Sequence, residues 1–160
     1  MAEINKGRFT AELDKPVVLF LIGMRINRLR AVGKWLPVAR AMPRMLEELE
    51  RHPGSGLLAH RTYVSWREVM VVQYWESFDK LTDYAHQRDA EHFPAWTAFN
   101  RSVGQNGLVG IWHETYHIKN GGFECVYGNM PTHGLAAAAR RVPATGRLAG
   151  AKSRMELADD

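Results

Sequence analysis

Val17-Val18-Leu19-Phe20-Leu21-Ile22-Gly23-Met24-Arg25-Ile26-Asn27 is the one long apolar run in the chain. Strand alternation puts Val18, Phe20, Ile22, Met24 and Ile26 on one face. Val17, Leu19, Leu21, Gly23, Arg25 and Asn27 share the other, which turns polar only at its end. A strand apolar on both faces has to be covered on both, as a barrel strand is, with helices on one side and an interior on the other. The run falls well short of the ~20 residues of a membrane span. Its approach through Glu12, Asp14 and Lys15 is wrong for a signal peptide. It reads as a buried strand of a cytoplasmic protein.

Downstream, Trp35, Val38, Met42, Met45, Leu46 and Leu49 recur at three- and four-residue spacing, which predicts an amphipathic helix from about Lys34 to Arg51. Pro43, inside it, should kink it or divide it. His52-Pro53-Gly54-Ser55-Gly56 stops it. Leu57 to Val64 and Val69 to Trp75 are strands joined by a connection short enough to force an antiparallel hairpin. Ser77 is placed to cap a helix from Phe78 to about Gln87, and Pro94 to open another from Ala95 to Val103. Leu108 to Ile118 is a long strand, turning at Lys119-Asn120-Gly121-Gly122 into a return strand, Phe123 to Tyr127.

This order, β-α-β-β-α-β with a C-terminal hairpin extension, is the ferredoxin-like α+β arrangement. Helices on one face of such a sheet leave the other bare. Here that face is apolar and aromatic, so a homodimer closing a dimeric α+β barrel is expected. The chain is 160 residues long, 46% hydrophobic and 24% charged, which suits one domain with one core. The expected division is an N-terminal extension over 1–16, the barrel domain over 17–139 and a flexible basic tail over 140–160.

Cys125 is the single cysteine, so no intrachain disulfide can form and a reducing compartment fits. The net charge of +4 comes largely from Arg25 to Arg44 and from the tail. No zinc finger, helix-turn-helix or RNA-binding aromatic motif accompanies it, so neither a nucleic-acid nor a membrane partner is expected. Gly54-Ser55-Gly56 and Gly104-Gln105-Asn106-Gly107 lack the spacing of a dinucleotide or Walker loop.

Gln73-Tyr74-Trp75-Glu76-Ser77, with Leu81, Tyr84 and His92, resembles the antibiotic-biosynthesis monooxygenase superfamily of dimeric α+β barrels. Four further stretches narrow the likeness: Ile22 to Asn27, Ala41-Met42-Pro43, Val109 to Tyr116 with its Trp-His-Glu-Thr-Tyr, and Tyr127-Gly128-Asn129-Met130-Pro131 with Gly134-Leu135. These are similar to the fumagillin-biosynthesis monooxygenase-like family, over roughly Val17 to Ala139. The resemblance implies a barrel that oxidises, or merely binds, a small hydrophobic molecule of aromatic or polyketide type. It also implies a comparison with haem-degrading relatives, which place a ligand histidine in the region of His92.

Alternation splits the densest polar segment. His113, Thr115 and His117 share one face of the final strand, and Trp112, Glu114 and Tyr116 the other. If the first face lines the chamber, His113 is a general base or a haem ligand. If the second does, Glu114 and Tyr116 position the substrate. The structural alternative pairs Glu114 with a neighbour such as Arg25 and leaves the histidines at an interface. His92 is a second candidate for base or haem ligand. Trp75, Tyr84, Trp96 and Phe99, together with Trp112, could form an aromatic wall, although Trp96 and Phe99 also suit a plain core. Arg25 and Asn27 could grip a carbonyl or enolate oxygen.

Three functions therefore stand open. The first is a monooxygenase without cofactor, with His92, His113, Glu114 and Tyr116 as candidate catalytic groups. The second is a haem enzyme, a monooxygenase or aldoxime dehydratase-like catalyst, with His92 or His113 on the iron. The third is a non-catalytic dimer that binds a small ligand.

Overall fold

The structure is a computed structural model, described over residues 2–87, 94, 97–99, 101 and 104–156. Its main sheet is four-stranded and antiparallel, built from β2 (Val17–Ile26), β3 (Leu57–Val64), β4 (Glu68–Trp75) and β5 (Val109–Ile118) in the order β3-β4-β2-β5. With helix α1 (Val32–Arg51) between β2 and β3 and helix α2 (Phe78–His86) between β4 and β5, this is the ferredoxin-like fold. The long apolar run is the central strand β2, flanked by β4 and β5.

Register decides which side chains share a face. Phe20, Ile22 and Met24 lie opposite Gln73, Val71 and Val69 on one side and Thr115, His113 and Ile111 on the other. Directly opposed residues of an antiparallel pair project to the same face, so these nine form the side beneath the helices. Leu19, Leu21 and Gly23, with Tyr74, Val72, Met70, Tyr116, Glu114 and Trp112, form the reverse side. A Cβ on Gly23 would lie 2.6 Å from the Trp112 indole, so the glycine is the slot that lets the indole lie across β2.

α1 packs Met45, Leu46 and Leu49 inward and stays one helical segment through Pro37 and Pro43. Both prolines are exposed, so the carbonyls of Gly33 and Ala39 that lose a donor can turn to water. Ser77 caps α2 as expected, its hydroxyl accepting from the Lys80 N–H at 3.2 Å. Trp75, with no exposed surface, centres a core with Val18, Leu49 and Leu81.

The ends of the chain differ from expectation. β1 (Asn5–Glu12), β6 (Tyr127–Met130) and β7 (Arg140–Pro143) form a second sheet in the order β6-β1-β7. The return strand therefore starts at Tyr127 rather than Phe123 and pairs with β1, not β5. Residues 140–143, read as the start of a flexible tail, are held by the ladder from Phe9↔Pro143 to Glu12↔Arg140. Beyond them lies the short helix α3 (Ala151–Glu156). Ala11 of the small sheet, Leu13 and the turn residues Leu135 and Ala136 pack against the Val17, Tyr74 and Ile118 end of the reverse side.

Arg154 explains how the last segment is fixed. It is 8% exposed, donates through Nε to Glu124 Oε1 at 2.7 Å, and donates through Nη1 to the carbonyls of Leu148 and Ala149 at 2.7 and 2.9 Å. A buried guanidinium with its donors satisfied can be kept out of water.

Candidate functional site

Between the helix-facing side of the sheet and the two helices lies a cavity of about 570 Å³. Its floor is Phe20, Ile22, Met24, Val69, Val71, Ile111, His113 and Thr115. Its roof is Val38, Met42 and Met45 from α1 and Phe78, Leu81 and Ala85 from α2, with Phe99 at the wall. Three methionines give the wall side chains that can repack around an irregular apolar ligand.

Of the two faces left open by the sequence, the His113 face lines this chamber. His113 is the one ionisable group among the described lining residues, and its ring lies 5.7 Å from that of Phe20. Thr115, two positions on along the same face, brings a hydroxyl beside it. His117 is next in that row and meets Phe78 at the edge, 6.1 Å ring to ring. An imidazole on an apolar floor can take a proton from a molecule bound against it.

Glu114 and Tyr116 project from the reverse side, where the phenol donates to Glu114 Oε2 at 2.6 Å. The pair is solvent-exposed and apart from the chamber. The acceptor bond and the carboxylate's charge together push the Tyr116 phenol above its ordinary value, because a phenolate there would face a carboxylate. Glu114→Gln should therefore lower the pH at which Tyr116 ionises. Titrating the phenolate absorbance of that variant, with Tyr116→Phe to identify the signal, checks this; an unmoved titration would mean that the bond does not form.

The other sequence candidates are scattered. Arg25 is on the reverse side and paired with Glu68 at 2.5 Å. Asn27 donates to the Gly107 carbonyl at 3.1 Å, tying β2 to the turn before β5. Trp75 is core, its indole N–H given to Gln73 Oε1 at 2.9 Å. Tyr84 packs on Trp75 and donates to Glu48 Oε2 at 3.0 Å, a bond that joins α2 to α1 one turn beyond Leu81 and Met45 of the chamber. His92 and Trp96 lie outside the described residues. Sequence reasoning missed the methionines of the roof, whose helical spacing read as ordinary core.

The lining also bears on haem. His113 could supply an axial nitrogen, but no Lys or Arg is among the described lining residues to pair with propionates. These residues do not supply both halves of a haem site. Among the described residues there is also no group of three or more His, Cys, Asp or Glu able to hold a metal ion. Nor is any described helix long and apolar enough to cross a membrane.

Comparison with known proteins adds a family. The family model described as "Monooxygenase af470-like" matches residues 17–135. Monooxygenase af470 of Aspergillus fumigatus is 27% identical over 151 residues, covering 81% of this chain and 53% of that relative, so the chain spans about half of its length. Among solved structures, an aldoxime dehydratase in complex with butyraldoxime shares the fold at a TM-score of 0.52, with 12% identity over 81% of this chain and 40% of that one. SnoaB of Streptomyces nogalater, a cofactor-independent oxygenase, matches at 0.46 with 15% identity over 64% of this chain and 93% of its own.

Proposed function

Since this chain belongs to the monooxygenase af470-like family, we propose that its helix-covered chamber oxidises a small hydrophobic molecule of aromatic or polyketide type, with no cofactor taking part. The observation that carries this reading is one imidazole, His113, set among apolar walls. A nonpolar chamber selects an uncharged, flat or flexible substrate, and the His113 imidazole marks the point where a proton is exchanged.

The reaction needs a substrate whose C–H is acidified by neighbouring phenol or enol groups. His113 removes that proton, and the carbanion passes one electron to dioxygen. The carbon radical and superoxide then couple to form the C–O bond. The imidazolium returns its proton to the peroxide. Loss of the second C–H proton with cleavage of the O–O bond leaves a carbonyl and releases water. The substrate supplies all four electrons that reduce dioxygen. The Thr115 hydroxyl is placed to hold the enolate oxygen, and a substrate filling the apolar chamber displaces water from around the carbanion.

A second copy covering the reverse side of the sheet, closing a dimeric barrel, belongs to the same reading. Its support is the row of half-buried Leu19, Leu21, Met70 and Val72 with Trp112 and Tyr116 exposed beside it.

The test is oxygen uptake by the purified, metal-free protein with a hydroxyanthrone, whose methylene is acidified by two rings and a carbonyl. Uptake above the uncatalysed rate, with one oxygen atom from labelled dioxygen in the new carbonyl, is the expected result. Tight binding of the probe with uptake at background would replace the enzyme with a ligand-binding dimer.

A further inference from the structure

Two connections meet at one end of the main sheet. Residues 27–31 join β2 to α1, and residues 65–67 join β3 to β4. Ile26 gives its N–H to the Arg67 carbonyl at 2.7 Å, and Arg67 Nη1 donates to the Asn27 carbonyl at 3.3 Å, so the loop and the hairpin tip lie side by side. Trp66 and Val64, 80% and 76% exposed, are the two most exposed large apolar side chains among the described residues, and Leu29 and Val32 of the neighbouring segment also face water. None of these four belongs to a core cluster among the described residues.

Cations surround them. From Arg25 to Leu46 the chain carries Arg25, Arg28, Arg30, Lys34, Arg40 and Arg44 and no acidic residue. Arg25 is paired with Glu68, whereas among the described residues no carboxylate neutralises Arg28, Arg30 or Lys34, which flank Leu29 and Val32. Arg67 keeps its charge too, since the carbonyl that accepts its N–H carries none.

We propose that this end of the protein docks on a membrane surface rich in anionic phospholipid, with Trp66 and Val64 seated at headgroup level and Arg28, Arg30, Lys34 and Arg67 among the anionic headgroups. Indole rings favour the membrane–water interface, and each cation close to an anionic leaflet adds attraction. The aliphatic Val64, Leu29 and Val32 favour lipid over nucleic acid, whose sites add base-stacking rings and hydrogen-bonding groups to their cations. Such a contact needs no membrane-spanning helix, and no described helix is one. No sequence motif marks the patch, because the fold assembles it from two segments far apart in the chain.

The patch also continues into the chamber. Val64 lies opposite Val69, Val69 opposite Met24 and Met24 opposite Ile111, and the last three belong to the chamber floor. Docked at this end, the protein holds its chamber beside the phase into which a small hydrophobic molecule partitions. That consequence rests on the proposed reading of the chamber, whereas the docking itself does not.

Co-sedimentation of the full chain with vesicles tests the proposal. Phosphatidylcholine vesicles containing about one-third phosphatidylserine should carry the protein down at low salt, and about 0.5 M salt should release it. Phosphatidylcholine alone should leave it in solution. Arg28→Glu and Trp66→Ser, both at exposed positions, should each weaken binding at least about fivefold. Lys119→Glu makes the same change in net charge as Arg28→Glu but at the opposite end of β5, and should leave binding within about twofold. No binding to the anionic vesicles would overturn the proposal, as would equal weakening by Arg28→Glu and Lys119→Glu. Capture of a single-stranded polynucleotide by a protein that ignores the vesicles would overturn it as well and assign the patch to nucleic acid. Oxygen uptake is not part of this readout, so the docking and the chamber chemistry stand or fall separately.

Discussion

His113→Gln is expected to reduce oxygen uptake by about 10²–10⁴-fold, the range lost when a positioned general base is removed. The cause is local. Among the described residues lining the chamber no other side chain can ionise, so no neighbour stands ready to take over the proton. Glutamine keeps the size and polarity of the imidazole, and His113 is exposed on an edge strand, so neither the core nor the chamber volume should change. Binding of the hydroxyanthrone should therefore hold while kcat falls. His117→Gln, on the same strand face but beyond the chamber lining, is the control and should leave the rate nearly intact. A His113→Gln enzyme within threefold of the unmodified rate would move the base to another residue.

Arg154→Ala is expected to cost about 3–5 kcal/mol, the loss typical when one partner of a buried ion pair is deleted. The substitution leaves the half-buried Glu124 carboxylate without its cation, and the Leu148 and Ala149 carbonyls without a donor. The damage should begin where Arg154 is anchored. Amide exchange should accelerate first in α3 and β7, while β2 and β4 stay protected. Replacing both partners with apolar groups, Arg154→Met with Glu124→Leu, should recover most of the loss, since no charge is then left unpaired. Chemical denaturation of the three proteins measures this; a loss below about 1 kcal/mol for Arg154→Ala would mean that the ion pair does not fasten the segment.

Much of the main sheet can be read from residue order alone. The run from Val17 is the central strand β2, with helices over Phe20, Ile22 and Met24 and the small sheet over its Val17 end. Ser77 starts α2 because its hydroxyl can reach the Lys80 amide, a contact three residues away. Such features depend on neighbours within one or two turns or on strict alternation, and local sequence carries both. The small sheet has no such signal. Asn5–Glu12 is mostly polar, and Thr10 is buried only because its hydroxyl finds the Cys125 carbonyl at 2.8 Å, 115 positions away. The same holds for Arg140 and Arg154, which look like solvated tail residues until Glu12 and Glu124 are brought to them.

The candidate site divides in the same way. Strand alternation separated His113, Thr115 and His117 from Trp112, Glu114 and Tyr116, but alternation has no sign: it says which residues travel together, not which set faces the helices. Only the packing of α1 and α2 over Phe20, Ile22 and Met24 made His113 a chamber residue and turned Glu114 and Tyr116 away. By itself, then, the sequence determined the elements of the main sheet, their order and the grouping of side chains by face, because these follow from the periods of helix and strand. Tertiary structure alone decided which face the helices cover, which charges found partners and that His113 lines the apolar chamber, because those depend on contacts between residues far apart in the chain.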